Sequence, residues 1–269
     1  MIRIILRASK SKYVYLIFRA IYLSLLEHIT FYILLFVAEV LGTLGGFGSS
    51  ILLVPIITYY FGFQQALLFT AAIHVVSNLW KVVLFRKGLL KQLLVNFGIP
   101  SVVAVIVGAL LSGFLADYIA EGVLGAFLSG LSLFLLLKPN LVVKPTRTNA
   151  AVGGGISGFV AGFLGTGGAI RGLFLSAYDL NVSAFIATSA FIDLGVDASR
   201  FVVYLIQKPM IEGALGYIIP VIVLSLAGNF IGKWLVDKIN QKTFRYIVLS
   251  LVLIIGIVSI VKFFQGLPQ

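Results

Sequence analysis

Two glycine-rich segments contain the groups best suited to binding an anion. They cover residues 42–50 and 162–172, and each interrupts an apolar run. Because glycine lets the backbone leave helical geometry, we expect a new helix to begin just after each segment. The free N–H groups and positive dipole end of such a helix attract anions. The candidate anion-binding residues here are Gly45, Gly46, Gly48, Ser49, Ser50, Gly165, Thr166, Gly167, Gly168 and Arg171.

A second set of candidates consists of ionisable residues inside apolar stretches, where a charge is costly and points to function. Asp193 and Asp197 share one helical face, and Arg200 follows three residues later. Arg200 is expected to help hold the anion. His74 and Asn78 also share a face, with Lys81 next to it. The candidates for carrying a coupling proton are Glu39, His74, Asp193 and Asp197.

Structural roles compete with each of these assignments. Glycines can simply allow membrane helices to pack closely, although two breaks at corresponding places favour a binding site. Asp197 and Arg200 could form an ion pair that holds their helix in the bundle. His74 could be a structural hydrogen-bonding residue. The residues alone leave these alternatives open.

The composition indicates a polytopic membrane protein. Of the 269 residues, 60% are hydrophobic and only 11% are charged, whereas soluble domains carry about 25% charged residues. At ~20 residues per span, the length allows roughly eight to ten membrane segments. The chain has no cysteine, only two histidines and no nucleophile–base set, so we expect no metal, no cofactor and no enzymatic activity. We assign the net charge of +11 to basic cytoplasmic loops, not to nucleic-acid binding.

The chain repeats one order of features. Residues 13–27 form a candidate N-terminal helix, and the features that follow occur twice, at about 29–138 and 149–264, separated by a polar linker at 139–148. Each copy has a glycine-broken apolar pair followed by three longer apolar stretches. The whole is expected to form a single transporter domain with an internal repeat.

Loop charges predict that the two copies are inverted. Basic loops lie in the cytoplasm, which places Arg86–Lys91 inside, the turn with Asp117 and Glu121 outside, and the loop from Lys233 to Arg245 inside. The segment from Lys208 to Glu212 is nearly neutral and is assigned to the outside. The predicted fold is all-α, with two inverted repeats, each a re-entrant helix pair followed by three membrane-spanning helices, plus one N-terminal helix. The N-terminus is then cytoplasmic, provided that residues 13–27 cross the membrane.

Both copies carry similar motifs. Gly45-Gly46-Phe47-Gly48 is followed by Pro55 and by Ala66…Thr70-Ala71, and residues 165–168 are followed by Ala184…Thr188-Ser189. This order resembles the TauE/SafE-like sulfite exporter family, in which a glycine cluster, a proline and an A-x-G-T-S-like segment succeed one another. The resemblance covers nearly the whole chain from about Ile29. The second copy departs from it, with Leu175 in place of the proline and Ala187 in place of the glycine.

The resemblance implies a transporter in the bacterial inner membrane that moves sulfite, sulfonates or related organosulfur anions, mostly outward and by alternating access. It adds Thr70, Thr188 and Ser189 to the substrate-binding candidates. The partners are a small anion and the lipid bilayer, and the sequence leaves a homo-oligomer open. The alternatives are an anion channel-like pore, a transporter of an unrelated small carboxylate, an intramembrane enzyme and an assembly subunit.

Two substitutions test the anion site. Arg171→Ala removes a positive charge, and Gly167→Leu places a side chain in the glycine segment, so both are expected to abolish substrate-dependent flux in proteoliposomes while the fold stays intact. Unchanged flux in both variants would contradict the site assignment.

Overall fold

A computed structural model provides the structure of the protein. It describes residues 12–45, 48–84, 89–141, 143–178, 180, 182–207, 210, 214–236, 238 and 240–265. The candidate Gly46 lies outside these ranges, as do Arg86, Lys208 and Glu212, whose charges entered the topology prediction.

All secondary structure in the described residues is helical. In chain order the helices are α1 Lys12–Gly45, α2 Ser50–Phe61, α3 Phe63–Leu84, α4 Lys91–Ser112, α5 Asp117–Leu137, α6 Arg147–Leu164, α7 Gly168–Leu175, α8 Val182–Gln207, α9 Ala214–Val236 and α10 Gln241–Gln265. A π-helical turn at Leu94–Gly98 lies within α4.

Five of the described helices are long and apolar enough to cross a membrane, namely α3, α4, α5, α9 and α10. Helix α8 has 26 residues but carries Asp193, Asp197 and Arg200 near its middle. The glycine-broken helices α2 and α7 have 12 and 8 residues, short of the ~20 that a span needs. The protein is therefore an integral membrane protein with long spans and short broken helices.

Helix α1 differs from the prediction, because it is one continuous helix of 34 residues. Residues 13–27 and 29–40 were expected to be separate elements that reverse direction near Glu27. No glycine or proline lies between Lys12 and Leu41, so nothing in the backbone stops the helix there. The separate N-terminal helix is thus wrong. The argument for a cytoplasmic N-terminus required that reversal and falls with it.

Helices α4 and α6 pack along a row of glycines. An added Cβ at Gly154, Gly158 or Gly162 of α6 would overlap the backbone oxygen of Phe97, Ser101 or Val105 of α4, in that order. Residue numbers rise together on both helices, so the two run parallel. Such close backbone approach is how small residues hold membrane helices together, because van der Waals contact replaces the missing hydrophobic effect.

A corresponding contact joins α1 and α9. Gly228 of α9 faces Glu39 of α1, and Gly232 faces Thr43 one turn later, so these helices also run parallel. Helix α3 pairs with α8 and α5 with α10. The strongest helix contacts therefore join one half of the chain to the other.

The glycine row yields a stability prediction. Gly158→Ala is expected to lower the free energy of unfolding by about 1–3 kcal/mol, because the methyl group overpacks the α4 backbone. Gly155→Ala is the matched control, since an added Cβ meets nothing within 4 Å there. Thermal unfolding of the purified protein in detergent compares the two variants. Equal melting temperatures would show that α4 and α6 do not pack through this row.

Candidate functional site

The first glycine segment separates α1 from α2. Gly48 has a φ of 77°, in the left-handed region where a side chain is strained. The backbone oxygen of Ser49 accepts the N–H groups of Leu52 and Leu53 at 3.0 and 2.9 Å, which starts α2. No side chain caps this start. The first N–H groups of α2 therefore receive no hydrogen bond from a capping side chain.

The second segment separates α6 from α7 in a similar way. Gly165 ends α6 with a φ of 77° and a left-handed conformation. Gly167 precedes α7 without a side-chain cap, and its backbone oxygen accepts the Arg171 N–H at 3.0 Å and the Ser157 hydroxyl at 3.0 Å. Helix α7 therefore also begins with uncapped N–H groups.

The two segments lie against each other. The Ser50 hydroxyl donates to the Thr166 hydroxyl at 3.4 Å. A Cβ added to Gly48 would lie 3.9 Å from the Cα of Gly168 and 3.8 Å from Nη2 of Arg171. The starts of two helices from opposite halves of the chain are therefore neighbours.

A cavity of about 40 Å³ lies at this junction. Its volume suits a few water molecules or one small oxyanion. It is lined by backbone of the two glycine segments and by polar side chains of α3 and α8. The lining includes the candidates Gly48, Ser49, Ser50, Gly165, Gly167, Gly168, Arg171, His74, Asp193, Asp197 and Arg200.

Arg200 is fully committed to protein contacts. Its side chain is 1% exposed and pairs with Asp197, with Nε and Nη2 donating to Oδ1 at 2.8 and 2.7 Å. Nη1 donates to the backbone oxygens of Gly165 at 2.9 Å and Ala161 at 3.3 Å. Nη2 also approaches Nδ1 of His74 at 3.3 Å. Because guanidinium has five N–H donors, these contacts leave Arg200 to position the second break and not to bind a ligand directly.

The contact with Arg200 also assigns the tautomer of His74. An arginine N–H can only donate, so Nδ1 of His74 accepts and Nε2 carries the hydrogen. Nε2 then donates to the Ser49 hydroxyl at 3.1 Å. The Ser49 hydrogen remains available to a further acceptor. Asn78 completes the cluster by donating to Oδ2 of Asp197 at 2.7 Å.

Arg171 differs from Arg200 in its free donors. Nε donates to the Ser189 hydroxyl at 2.8 Å, and Nη1 forms an ion pair with Asp193. Nη2 faces Gly48 across the junction and has no hydrogen-bond partner among the residues that the structure describes. Arg171 can therefore present a charged donor to a ligand in the cavity.

A comparison with known protein families covers most of the chain. The model of the family described as Sulfite exporter TauE/SafE matches residues 31–259. The chain belongs to the TauE/SafE sulfite exporter family. This is a family of membrane transporters, as the apolar helices also indicate. No curated protein and no solved structure matches the chain.

Two of the candidates carried over from the family motif do not reach the cavity of this TauE/SafE protein. The Thr70 hydroxyl donates to the backbone oxygens of Ala66 and Leu67 within α3 at 2.7 and 3.1 Å. The Thr188 hydroxyl accepts the Leu90 N–H at 3.2 Å, near the start of α4. Ser189 acts through Arg171. Both threonines are fully buried and are absent from the lining of the cavity. Thr70 lies one helical turn before His74, and its hydroxyl is taken up by the backbone of α3.

Lys81 and Asn78 were not among the predicted site residues, although both line the cavity of this TauE/SafE protein. Lys81 makes no ion pair or hydrogen bond within the described ranges, so its ammonium group is the least committed cation of the site. The sequence already showed their helical spacing from His74, which places all three near one face of α3, but they were not chosen as binding residues. Glu39 lies beside the cavity and not in its lining.

The structure also corrects the Gly167→Leu test. A Cβ at Gly167 would overlap the backbone oxygen of Ser157 in α6. A leucine there is therefore expected to disrupt the fold, and loss of flux in that variant would not report on the anion site. The premise that the fold stays intact is wrong.

The buried ion pair of Asp197 and Arg200 yields a stability prediction for this TauE/SafE protein. Asp197→Asn leaves Arg200 charged, buried and without its counter-ion, which is expected to cost about 3–5 kcal/mol of stability. Asp193→Asn is the matched control, because the side chain of Asp193 is 15% exposed and Arg171 keeps Ser189. Thermal unfolding in detergent should show a much lower melting temperature for Asp197→Asn. Equal melting of the two variants would contradict the structural role of Arg200.

Proposed function

We propose that this protein exports a small sulfur oxyanion or sulfonate, which binds in the cavity between the starts of α2 and α7. The observation that carries the proposal is the meeting of two uncapped helix starts beside the free Nη2 of Arg171. Each helix start offers N–H groups and a partial positive charge. The family supplies the class of substrate.

The charges around the cavity favour a single negative charge on the ligand. Lys81, Arg171 and Arg200 contribute three positive charges, and Asp193 and Asp197 contribute two negative ones. His74 is neutral in the tautomer assigned above. The excess of one positive charge, in a site whose side chains are mostly buried, favours a monoanion over a neutral molecule.

The helix pairing supports an inverted repeat. If α1 to α5 correspond to α6 to α10, the α1–α9 contact corresponds to the α6–α4 contact, and the α3–α8 and α5–α10 contacts map onto themselves. Asn78 contacts Asp197 while His74 contacts Arg200, so α3 and α8 run in opposite directions. We therefore propose that α1–α2 and α6–α7 are re-entrant hairpins that enter from opposite sides.

The exposure of the lining residues supports access from the side of the α3–α4 loop. Lys81 and Asp193 are partly exposed, whereas His74 and Arg200 are buried. That loop carries basic residues and is assigned to the cytoplasm. We propose that the described conformation faces the cytoplasm in the bacterial inner membrane and that alternating access then opens the other side.

The test variant replaces both members of the Arg171–Asp193 ion pair with neutral residues. Arg171→Gln/Asp193→Asn removes the charged donor without leaving a buried unpaired charge. A hydrogen bond to a charged group contributes about 1.5–3 kcal/mol, so we expect anion binding to weaken by roughly 10- to 100-fold. Flux of radiolabelled sulfite or sulfoacetate in proteoliposomes, with binding measured on the purified protein, provides the measurement.

The matched control is Glu121→Gln/Lys262→Gln, which removes two opposite charges that interact away from the cavity. It should transport like the wild type. A screen of sulfite, sulfoacetate, sulfolactate and acetate separates the alternatives. Preference for acetate would favour a carboxylate transporter, and flux that does not saturate would favour a channel. Unaltered flux in the cavity variant would overturn the proposed site.

A further inference from the structure

Glu39 is a buried carboxyl group that the anion site does not use. It lies on α1, before the first glycine segment, and is 1% exposed. Neither of its carboxyl oxygens makes a hydrogen bond to any described residue, although the hydroxyls of Ser225 and Ser49 lie beside it. The Ser225 hydroxyl is likewise without a partner in the described part of the chain. A bare carboxylate is very costly in such surroundings, so the neutral, protonated form is favoured when nothing else balances the charge.

Glu39 is connected to the cavity through a short chain of polar groups. Arg200 donates to His74, and His74 donates to the Ser49 hydroxyl. Ser49 lines the cavity and lies beside Glu39. Its hydroxyl hydrogen can therefore be donated to a carboxylate at Glu39 or to an anion in the cavity, but not to both.

Among the residues that the structure describes, one charged group acts on Glu39, namely Lys81 of α3. Helix α9 presents the neutral Ser225, and the start of α2 presents Ser49. Helix α10 also packs against α1 and adds no charge to these surroundings among the described residues. Lys81 is thus shared between Glu39 and the cavity that it lines.

We propose that Glu39 binds a proton together with the anion, so that each transported monoanion is accompanied by one H⁺. This inference rests on the proposed anion site. An ionised Glu39 neutralises Lys81 and takes the Ser49 hydroxyl, whereas a protonated Glu39 leaves both to the anion. Proton and anion therefore favour each other's binding, and this coupling is reciprocal. A monoanion that moves with a proton carries no net charge, so the direction of transport follows the anion and pH gradients and not the membrane potential.

The experiment uses methanesulfonate as the probe, because its own charge does not change between acidic and alkaline pH. Its affinity for the purified full-length protein is measured by calorimetry over that range. The wild type should bind about tenfold more weakly for each pH unit above the midpoint of Glu39 ionisation. Glu39→Gln should bind at every pH as tightly as the wild type does at acidic pH. Glu121→Gln, the same change far from the cavity, should keep the wild-type pH dependence.

A second measurement on the wild type alone removes any dependence on the folding of the variant. Methanesulfonate binding in weakly buffered solution near the midpoint should take up protons from the solvent. Absence of proton uptake, or a pH dependence that Glu39→Gln retains, would overturn the inference while the anion site stands. Dependence on Na⁺ in place of pH would also overturn it. If the wild type binds neither methanesulfonate nor sulfite at any pH, the proposed function itself fails.

Discussion

A helix that breaks inside a membrane releases backbone carbonyl groups, and the protein itself must supply their hydrogen-bond donors. Arg200 does so for the second break, by donating to the oxygens of Ala161 and Gly165. The rest of the site follows from this one contact. A buried guanidinium needs a counter-ion, which is Asp197, and the second oxygen of Asp197 needs a donor, which is Asn78. The remaining donor of Arg200 then orients His74 and, through it, Ser49 at the first break.

Arg171 and Arg200 have different roles in the site. All the N–H donors of Arg200 are used within the protein, so Arg200 influences a ligand in the cavity only through its electrostatic charge. Arg171 is held by Ser189 and Asp193 on one side and keeps a donor free on the other. A rigid guanidinium that is oriented before a ligand arrives costs little entropy on binding. Arg171, paired with Asp193, can contact a ligand, whereas Arg200 holds the backbone of the second break. Both arginines were expected to contact the anion.

The sequence predicted those features of the fold and site that depend on local pattern. Glycine runs indicated the two breaks, and helical spacing placed Asp193, Asp197 and Arg200 together. The contact between Ser50 and Thr166 then joins the two glycine segments. Features set by packing between distant helices were not predictable. Thr70 and Thr188 fit the motif, but their hydroxyls are bonded to the backbone of α3 and to the Leu90 N–H, and neither residue lines the cavity. Residues 13–27 and 29–40 were expected to be separate elements, yet no glycine or proline breaks the backbone between them.

The contact between α1 and α9 has a consequence for how the chain is made. The Thr43 hydroxyl donates to the side-chain oxygen of Asn229 at 2.7 Å, across 186 residues of sequence. Asn229 in turn donates to Ser77 at 2.7 Å. A chain that emerges from the ribosome at about 5–20 residues per second spends roughly ten seconds or more without α9. During that interval Thr43 of α1 and Ser77 of α3 lack the hydrogen bonds that Asn229 of α9 supplies. This polar contact between α1, α3 and α9 therefore forms only after the second half of the protein has been made.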